Sequence, residues 1–215
     1  MRNKRTLNFL ILMESVMSAA RYINMYYEKA ALEQNLGQSN KVNIQGEDVM
    51  HFDLMAHQIV MHYLRASKQV IQAVSEEVEN VIDLNTDGRY FFYFDPVDGS
   101  SNIKHSLPIG FLFGISKKNL KGVEDKHLRS GNEFIASGIF LIPTGVFTFA
   151  LKDAGAWQFL LDKQGDFIRP TKLTLPTAKK TWELSYNAGK VASFDKKVKQ
   201  WLKEKKGDLN FRYAG

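Results

Sequence analysis

Asp95-Pro96-Val97-Asp98-Gly99-Ser100-Ser101-Asn102 sets two carboxylates three residues apart, with a proline between them and a glycine and two serines directly after. Pro96 fixes its own φ and stiffens the turn, so Asp95 and Asp98 can converge and the Val97 carbonyl can face the same centre. Glu76 and Glu77 form a second acidic pair upstream. Hard divalent cations such as Mg²⁺ take carboxylate oxygens, carbonyls and water. Four carboxylates close together do not all stay ionised without positive charge between them. The set therefore implies metal, more than one ion about 3.5–4 Å apart. Gly99, Ser100 and Ser101 supply what a phosphate needs: close backbone approach, successive N–H groups at the start of a helical turn, and two hydroxyls. Metal beside an anion nest is the chemistry of metal-assisted phosphomonoester hydrolysis, with water activated and the phosphoryl charge shielded. Out of context the first pair is an ordinary turn and the second a solvated one.

The context is strand ends. Tyr90-Phe91-Phe92-Tyr93-Phe94 reads as a buried strand that delivers Asp95, and Gln69 to Val74 as a short strand closed by Ser75-Glu76-Glu77. Sheets of this class place their sites at such ends. The spacing predicts helices over residues 6–34, capped by Thr6, and over about 47–66. Asp53 lies in the second, where a solvated carboxylate and a functional one are equally open. Residues 37–46 read as a mobile loop, 78–89 as a polar loop, and 117–129 as a lysine-rich loop. Ile109 to Ser116 is a further strand. Glu133 to Ile142, Gly145 to Leu151 and Ala156 to Asp162 form an antiparallel meander with turns at 143–145, 152–155 and 162–165. Trp182 to Tyr186 is another strand, Phe194 to Lys205 an amphipathic surface helix, and the last residues close with no element. The expected fold is layered α/β: N-terminal helices on a mostly antiparallel sheet, then an incomplete second α/β layer. Residues 1–170 would form a metal- and phosphate-binding domain, and 171–215 the start of a sugar-phosphate domain.

The 215 residues suffice for one domain or two small ones, and 44% hydrophobic with 24% charged content reads as globular. The absence of cysteine excludes disulfides and thiolate metal sites, and leans toward an intracellular setting. Residues 1–100 carry 9 Lys+Arg against 13 Asp+Glu, a net −4, whereas 101–215 carry 20 against 10, a net +10. An acidic half that holds metal and a basic half that attracts phosphate account for this without nucleic acid. Glu14 and Arg21 interrupt the apolar run after the basic N-terminus, so neither a signal sequence nor a membrane span is expected. No GxxxxGK[ST] and no GxSxG motif occurs, against a P-loop NTPase or a nucleophile elbow. His51, His57, His62, His105 and His127 are scattered and receive no catalytic role.

At this point the chain resembles the fructose-1,6-bisphosphatase family, within the inositol monophosphatase-like group of Mg²⁺-dependent phosphatases. Asn43-Ile44-Gln45-Gly46-Glu47 is similar to the family's NVQGE segment, Phe52 to His57 to LDLFAN, and Val74 to Glu77 to (V/A)SEE. Asp95 to Ile103 resembles DPLDGSSNI, and Ile109 to Ile115 the VGTIFGIY strand. Ser185 to Gly189 is similar to SxNEG, and Arg212-Tyr213-Ala214-Gly215 to the start of RYxGS. The resemblance implies that Glu76, Glu77, Asp95, Asp98 and the Val97 carbonyl bind two or more Mg²⁺, with Mn²⁺ as a substitute. It implies that Asp53 and Glu77 activate water, with Glu76 beside them. Asp98, Gly99, Ser100 and Ser101 would hold the 1-phosphate and nearby sugar, and Asn187, Arg212 and Tyr213 the 6-phosphate. It further implies a sugar bisphosphate substrate, fructose 6-phosphate as product, a cytoplasmic gluconeogenic setting, and a homo-oligomer, dimer or tetramer, through Arg212. A sedoheptulose bisphosphatase, another sugar or inositol phosphatase, and an impaired homologue acting by binding are the alternatives.

The departures are specific. Lys104 stands where the family has Asp, Lys190 where it often has Tyr, and Lys117 where it has an arginine of the AMP site. The N-terminus is short for AMP binding, although Arg89-Tyr90 resembles the Lys-Tyr pair of that site. The chain stops inside the RYxGS motif, so a fragment of a longer protein and a naturally short one are both expected readings.

Overall fold

Nine residues from Tyr90 to Asp98 form the strand around which the rest is arranged. Alternate strand positions normally face opposite sides, yet Tyr90, Phe91, Phe92, Phe94 and Val97 are all buried, as befits a strand covered on both faces. The computed structural model describes residues 2–32, 38–42, 48–105, 107–118, 130–174, 182–207 and 209–213.

In chain order, helix α1 (Arg2–Leu32) precedes a short antiparallel pair, β1 (Gln38–Val42) with β2 (Asp48–Met50). Helix α2 (His51–Ser67) follows, then β3 (Val70–Ser75), β4 (Ile82–Asp83), β5 (Tyr90–Asp98) and β6 (Ile109–Lys117). Strands β7 (Phe134–Ile142), β8 (Val146–Leu151), β9 (Gly155–Leu161) and β10 (Phe167–Leu173) complete one eight-stranded sheet. Its order is β10-β9-β8-β7-β6-β5-β3-β4. Only β3 and β5 run parallel; all other neighbours are antiparallel.

The two helices pack on each other, and the face they offer the sheet is written in their periodicity. Leu12, Val16, Ala19, Ala20 and Ile23 form the buried stripe of α1, and Phe52, Ala56, Val60 and Leu64 that of α2. An aromatic ladder crosses the sheet beneath them. Phe92 stacks on Phe113, Phe113 on Phe147, and Phe149 on Phe159. Gly138 of β7 opens the passage from Phe113 to β8: a Cβ there would sit 2.6 Å from the Phe113 ring and 2.6 Å from the Thr148 carbonyl oxygen.

Residues 1–173 form one compact unit and 174–215 a second. The second contains β11 (Trp182–Tyr186), a 3-10 turn (Ala188–Ser193), helix α3 (Lys196–Glu204) and β12 (Leu209–Tyr213). β11 and β12 are parallel, Trp182 opposite Leu209 and Tyr186 opposite Tyr213, joined by the crossover helix. Asp195 caps α3 by accepting from Lys197 N–H at 2.8 Å.

The layered α/β class is as expected, with four corrections. Gln38–Val42 is a strand and not part of a mobile loop. Ile82–Asp83 interrupts the polar loop by pairing with β3, and the meander has a fourth strand, β10. The final residues do carry an element, β12. Gln38–Val42 and Ile82–Asp83 are too short or polar to show a period, and pairing with a neighbour supplies their backbone hydrogen bonds; Leu209–Tyr213 does alternate apolar and polar residues, and its pairing with β11 makes it a strand. The NVQGE-like segment at 43–47 and the lysine-rich stretch at 119–129 lie outside the described residues.

Candidate active site

The parallel pairing of β3 with β5 is what brings the acidic pairs together. Ser75 is opposite Phe94, and Glu76 N–H donates to the Phe94 carbonyl at 3.0 Å. The next residue on each strand is therefore a carboxylate, Glu76 beside Asp95. Glu77 N–H turns back to the Ser75 hydroxyl at 3.2 Å.

At the end of β5 the register against β6 slips. Asp95 is opposite Leu112 and Asp98 opposite Gly110, so three steps on β5 match two on β6. The extra residue is a bulge, the place where a strand tolerates a proline with no N–H to give. Asp95 Oδ1 accepts from Val97 N–H at 2.9 Å, which folds the bulge tightly. Gly99 follows at φ +78°, a conformation that favours glycine. The chain then enters a 3-10 turn, Ser100–His105, with Asn102 N–H on the Gly99 carbonyl at 2.8 Å and Asn102 Nδ2 on the Pro108 carbonyl at 3.1 Å. Asp98 is exposed, Asp95 half-buried and Val97 buried.

Asp53 lies in the first turn of α2 and is 4% exposed. The solvated reading of this carboxylate is thus ruled out. It faces the same cluster, because its charge acts on Glu77. Burial first, then Asp53, then Glu76 push the Glu77 carboxyl up to about 8. Burial likewise raises Asp95 to about 6, with Glu76 and Asp98 adding to the rise and the Val97 N–H opposing it. Glu77 Oε2 is buried with no hydrogen-bond partner among the described residues. Among those residues no three acidic or histidine side chains already stand in a metal-holding cluster. A hard-oxygen donor set, raised carboxyl pKa values and a buried carboxylate oxygen left open fit a divalent cation.

In the second unit Asn187 Oδ1 accepts from Gly189 N–H at 3.0 Å and caps the 3-10 turn. Asn187 directly follows β11, where Ser185 is opposite Arg212 and Tyr186 opposite Tyr213. The register thus gathers Asn187, Arg212 and Tyr213 at one end of this strand pair.

Sequence reasoning passed over His57. Its Nδ1 lies 2.9 Å from Ser75 Oγ, and its ring stacks on Phe94. The available signal was its spacing, four residues after Asp53 on one helix face.

Fold and site together define a class: a mixed α/β sheet whose two parallel strands end in crowded carboxylates beside a glycine-serine turn. The family model described as "Fructose-1-6-bisphosphatase, N-terminal domain" matches residues 1–172, and the chain belongs to this family. A fructose-1,6-bisphosphatase class 1 from Syntrophus aciditrophicus (strain SB) is 52% identical over 216 residues, spanning 98% of this chain. Fructose-1,6-bisphosphatase 1 from Mus musculus is 30% identical over 91% of the chain. The chain spans 65% of the length of the first relative and 59% of the second. The crystal structure of Leishmania major fructose-1,6-bisphosphatase in holo form superposes with a TM-score of 0.83 over 97% of this chain and 68% of that one, at 24% identity, which shows the shared fold. No described helix is long and apolar enough to cross a membrane.

Proposed function

We propose that this protein hydrolyses the 1-phosphate of fructose 1,6-bisphosphate to fructose 6-phosphate in a Mg²⁺-dependent reaction. The observation that carries the reading is the convergence of Asp53, Glu76, Glu77 and Asp95, with Glu77 raised to about 8, next to the Gly99 turn. The names of the relatives, at up to 52% identity, direct it to this substrate.

Glu76, Glu77, Asp95, Asp98 and the Val97 carbonyl would hold two or more Mg²⁺, with Mn²⁺ as a substitute. When bound, such ions neutralise the carboxylates, polarise the phosphoryl oxygens and make water acidic enough to attack at neutral pH. The remaining work belongs to the chain. N–H groups and hydroxyls of Gly99, Ser100 and Ser101 grip the 1-phosphate and hold it in line for attack. Asp53 and Glu77 take the proton from the attacking water. With the cations bound, Glu77 is held ionised and can take part as a carboxylate. Asn187, Arg212 and Tyr213 bind the 6-phosphate, Arg212 by its charged fork. The proposal includes a cytosolic setting and a homo-oligomer, dimer or tetramer, in which Arg212 serves a neighbouring subunit.

Phosphate release from fructose 1,6-bisphosphate with Mg²⁺, measured alongside Asp95→Asn and Glu76→Gln, tests this. Each variant should lower kcat at least about a hundredfold, the order expected when a metal ligand is removed. Folded protein with no phosphate release at any Mg²⁺ concentration would overturn it. Faster turnover of sedoheptulose 1,7-bisphosphate would move the substrate and leave the chemistry.

A further inference from the structure

His57 stands one helical turn beyond Asp53 on α2 and reaches the base of both acidic strand ends. Its Nδ1 lies 2.9 Å from the hydroxyl of Ser75, the last residue of β3. Its ring lies against Phe94 of β5, with centroids 5.5 Å apart and 25° between the planes. Ser75 and Phe94 are register partners, and the residues that follow them are Glu76-Glu77 and Asp95. Ser75 is 4% exposed, so its hydroxyl takes its partners from the protein. One of them is the Glu77 N–H at 3.2 Å. Burial, and after it the Arg65 guanidinium, push His57 below the ordinary histidine pKa, so the ring is neutral at neutral pH. A neutral imidazole has one acceptor nitrogen. With Nδ1 as that acceptor, the Ser75 hydroxyl accepts from the Glu77 N–H and donates its own proton to His57. The chain of bonds then runs from the Glu77 backbone through Ser75 to His57, anchored by the aromatic stack.

We propose that His57 is a positioning residue of the acidic site: through the Ser75 hydroxyl and the Phe94 ring it locks together the two strand ends that carry Glu76, Glu77 and Asp95. Its effect on turnover rests on the phosphatase reading above; its effect on cation binding does not. His57→Leu keeps the bulk and loses the acceptor. His57→Asn sets a polar atom where Nδ1 stands. Ser75→Ala breaks the same chain from its other side.

The test measures Mn²⁺ binding by titration calorimetry on the full chain without substrate, together with turnover of fructose 1,6-bisphosphate and thermal unfolding. His57→Leu should weaken Mn²⁺ binding and lower kcat by about 10–100-fold, the usual cost of losing an outer-shell partner, with KM for the sugar bisphosphate within about twofold. His57→Asn should recover most of both, and Ser75→Ala with His57→Leu should be no worse than the poorer single variant, because the two share one path. Mn²⁺ affinity of His57→Leu within about twofold of the parent, Asn as poor as Leu, or an additive double variant would each overturn the proposal. If His57→Leu does not fold, the Asn and Ser75→Ala chains decide it by the same readings. Mn²⁺ binding by the parent without hydrolysis would sink the phosphatase reading alone, and the affinities of the variants would still decide the role of His57. A parent that binds no Mn²⁺ overturns both.

Discussion

Glu77 and Asp95 show what folding does to single residues. Both carboxyls are raised, to about 8 and about 6, from ordinary values of 4.5 and 3.8. The folded state therefore keeps protons that the unfolded chain has already released. The stabilisation this gives is complete below the unfolded values and is lost as pH rises through 6 and then 8. Denaturant midpoints of the metal-free protein should accordingly fall between these limits. His57, with a lowered pKa, works in the opposite sense only below 6.5, so the decline is cleanest above that value. If Mg²⁺ binds the ionised carboxylates as proposed, the midpoint gain on adding it should grow with pH. A midpoint that is flat or rising from pH 6.5 to 8 without metal would contradict the crowding of this site.

At the scale of elements, two backbone devices set the geometry. The bulge at Pro96-Val97 ends β5 with Asp95 and Asp98 offset, and Gly99 completes the turn in a conformation open to glycine. On the proposed function, Gly99→Ala should lower kcat for the sugar bisphosphate while leaving the fold, because strain at φ +78° distorts the proposed phosphate turn and not the core. Gly138 is the second device. Its missing side chain makes room for the Phe113 ring, and the Thr148 carbonyl closes the other side. Gly138→Ala should destabilise by about 1–3 kcal/mol, the range for overpacking a filled site. Thermal unfolding would register this as a drop of several degrees with little change in the KM of the folded fraction.

At the scale of the molecule the chain divides at residues 173 and 174 into an eight-stranded unit and a smaller βαβ unit. The proposed 1-phosphate residues lie in the first and the proposed 6-phosphate residues in the second. The homo-oligomer proposal predicts a light-scattering mass of two or four times 24.6 kDa, and Arg212→Ala should raise KM for the bisphosphate. A monomer with undiminished turnover would remove Arg212 from a neighbour's site.

The family, the class of fold and most long elements were legible in the residues. Asp95 to Asn102 announced a carboxylate turn beside an anion nest through residue types alone, because proline, glycine and serine constrain the backbone locally. The apolar periods of α1, α2, β5 and β6 were equally plain. Residues 38–42 and 82–83 were not, since short polar strands exist only by virtue of the neighbour they pair with, and Pro170 masked the strand at 167–173. Asp53 and His57 mark the remaining boundary. A helix period says which residues share a face, but not whether that face meets water or two acidic strand ends. Desolvation and the approach of unlike segments decide that, and both are properties of the packed chain. The sequence by itself determined which groups could do chemistry; the parallel pairing of β3 with β5 under α2 decided which of them stand side by side.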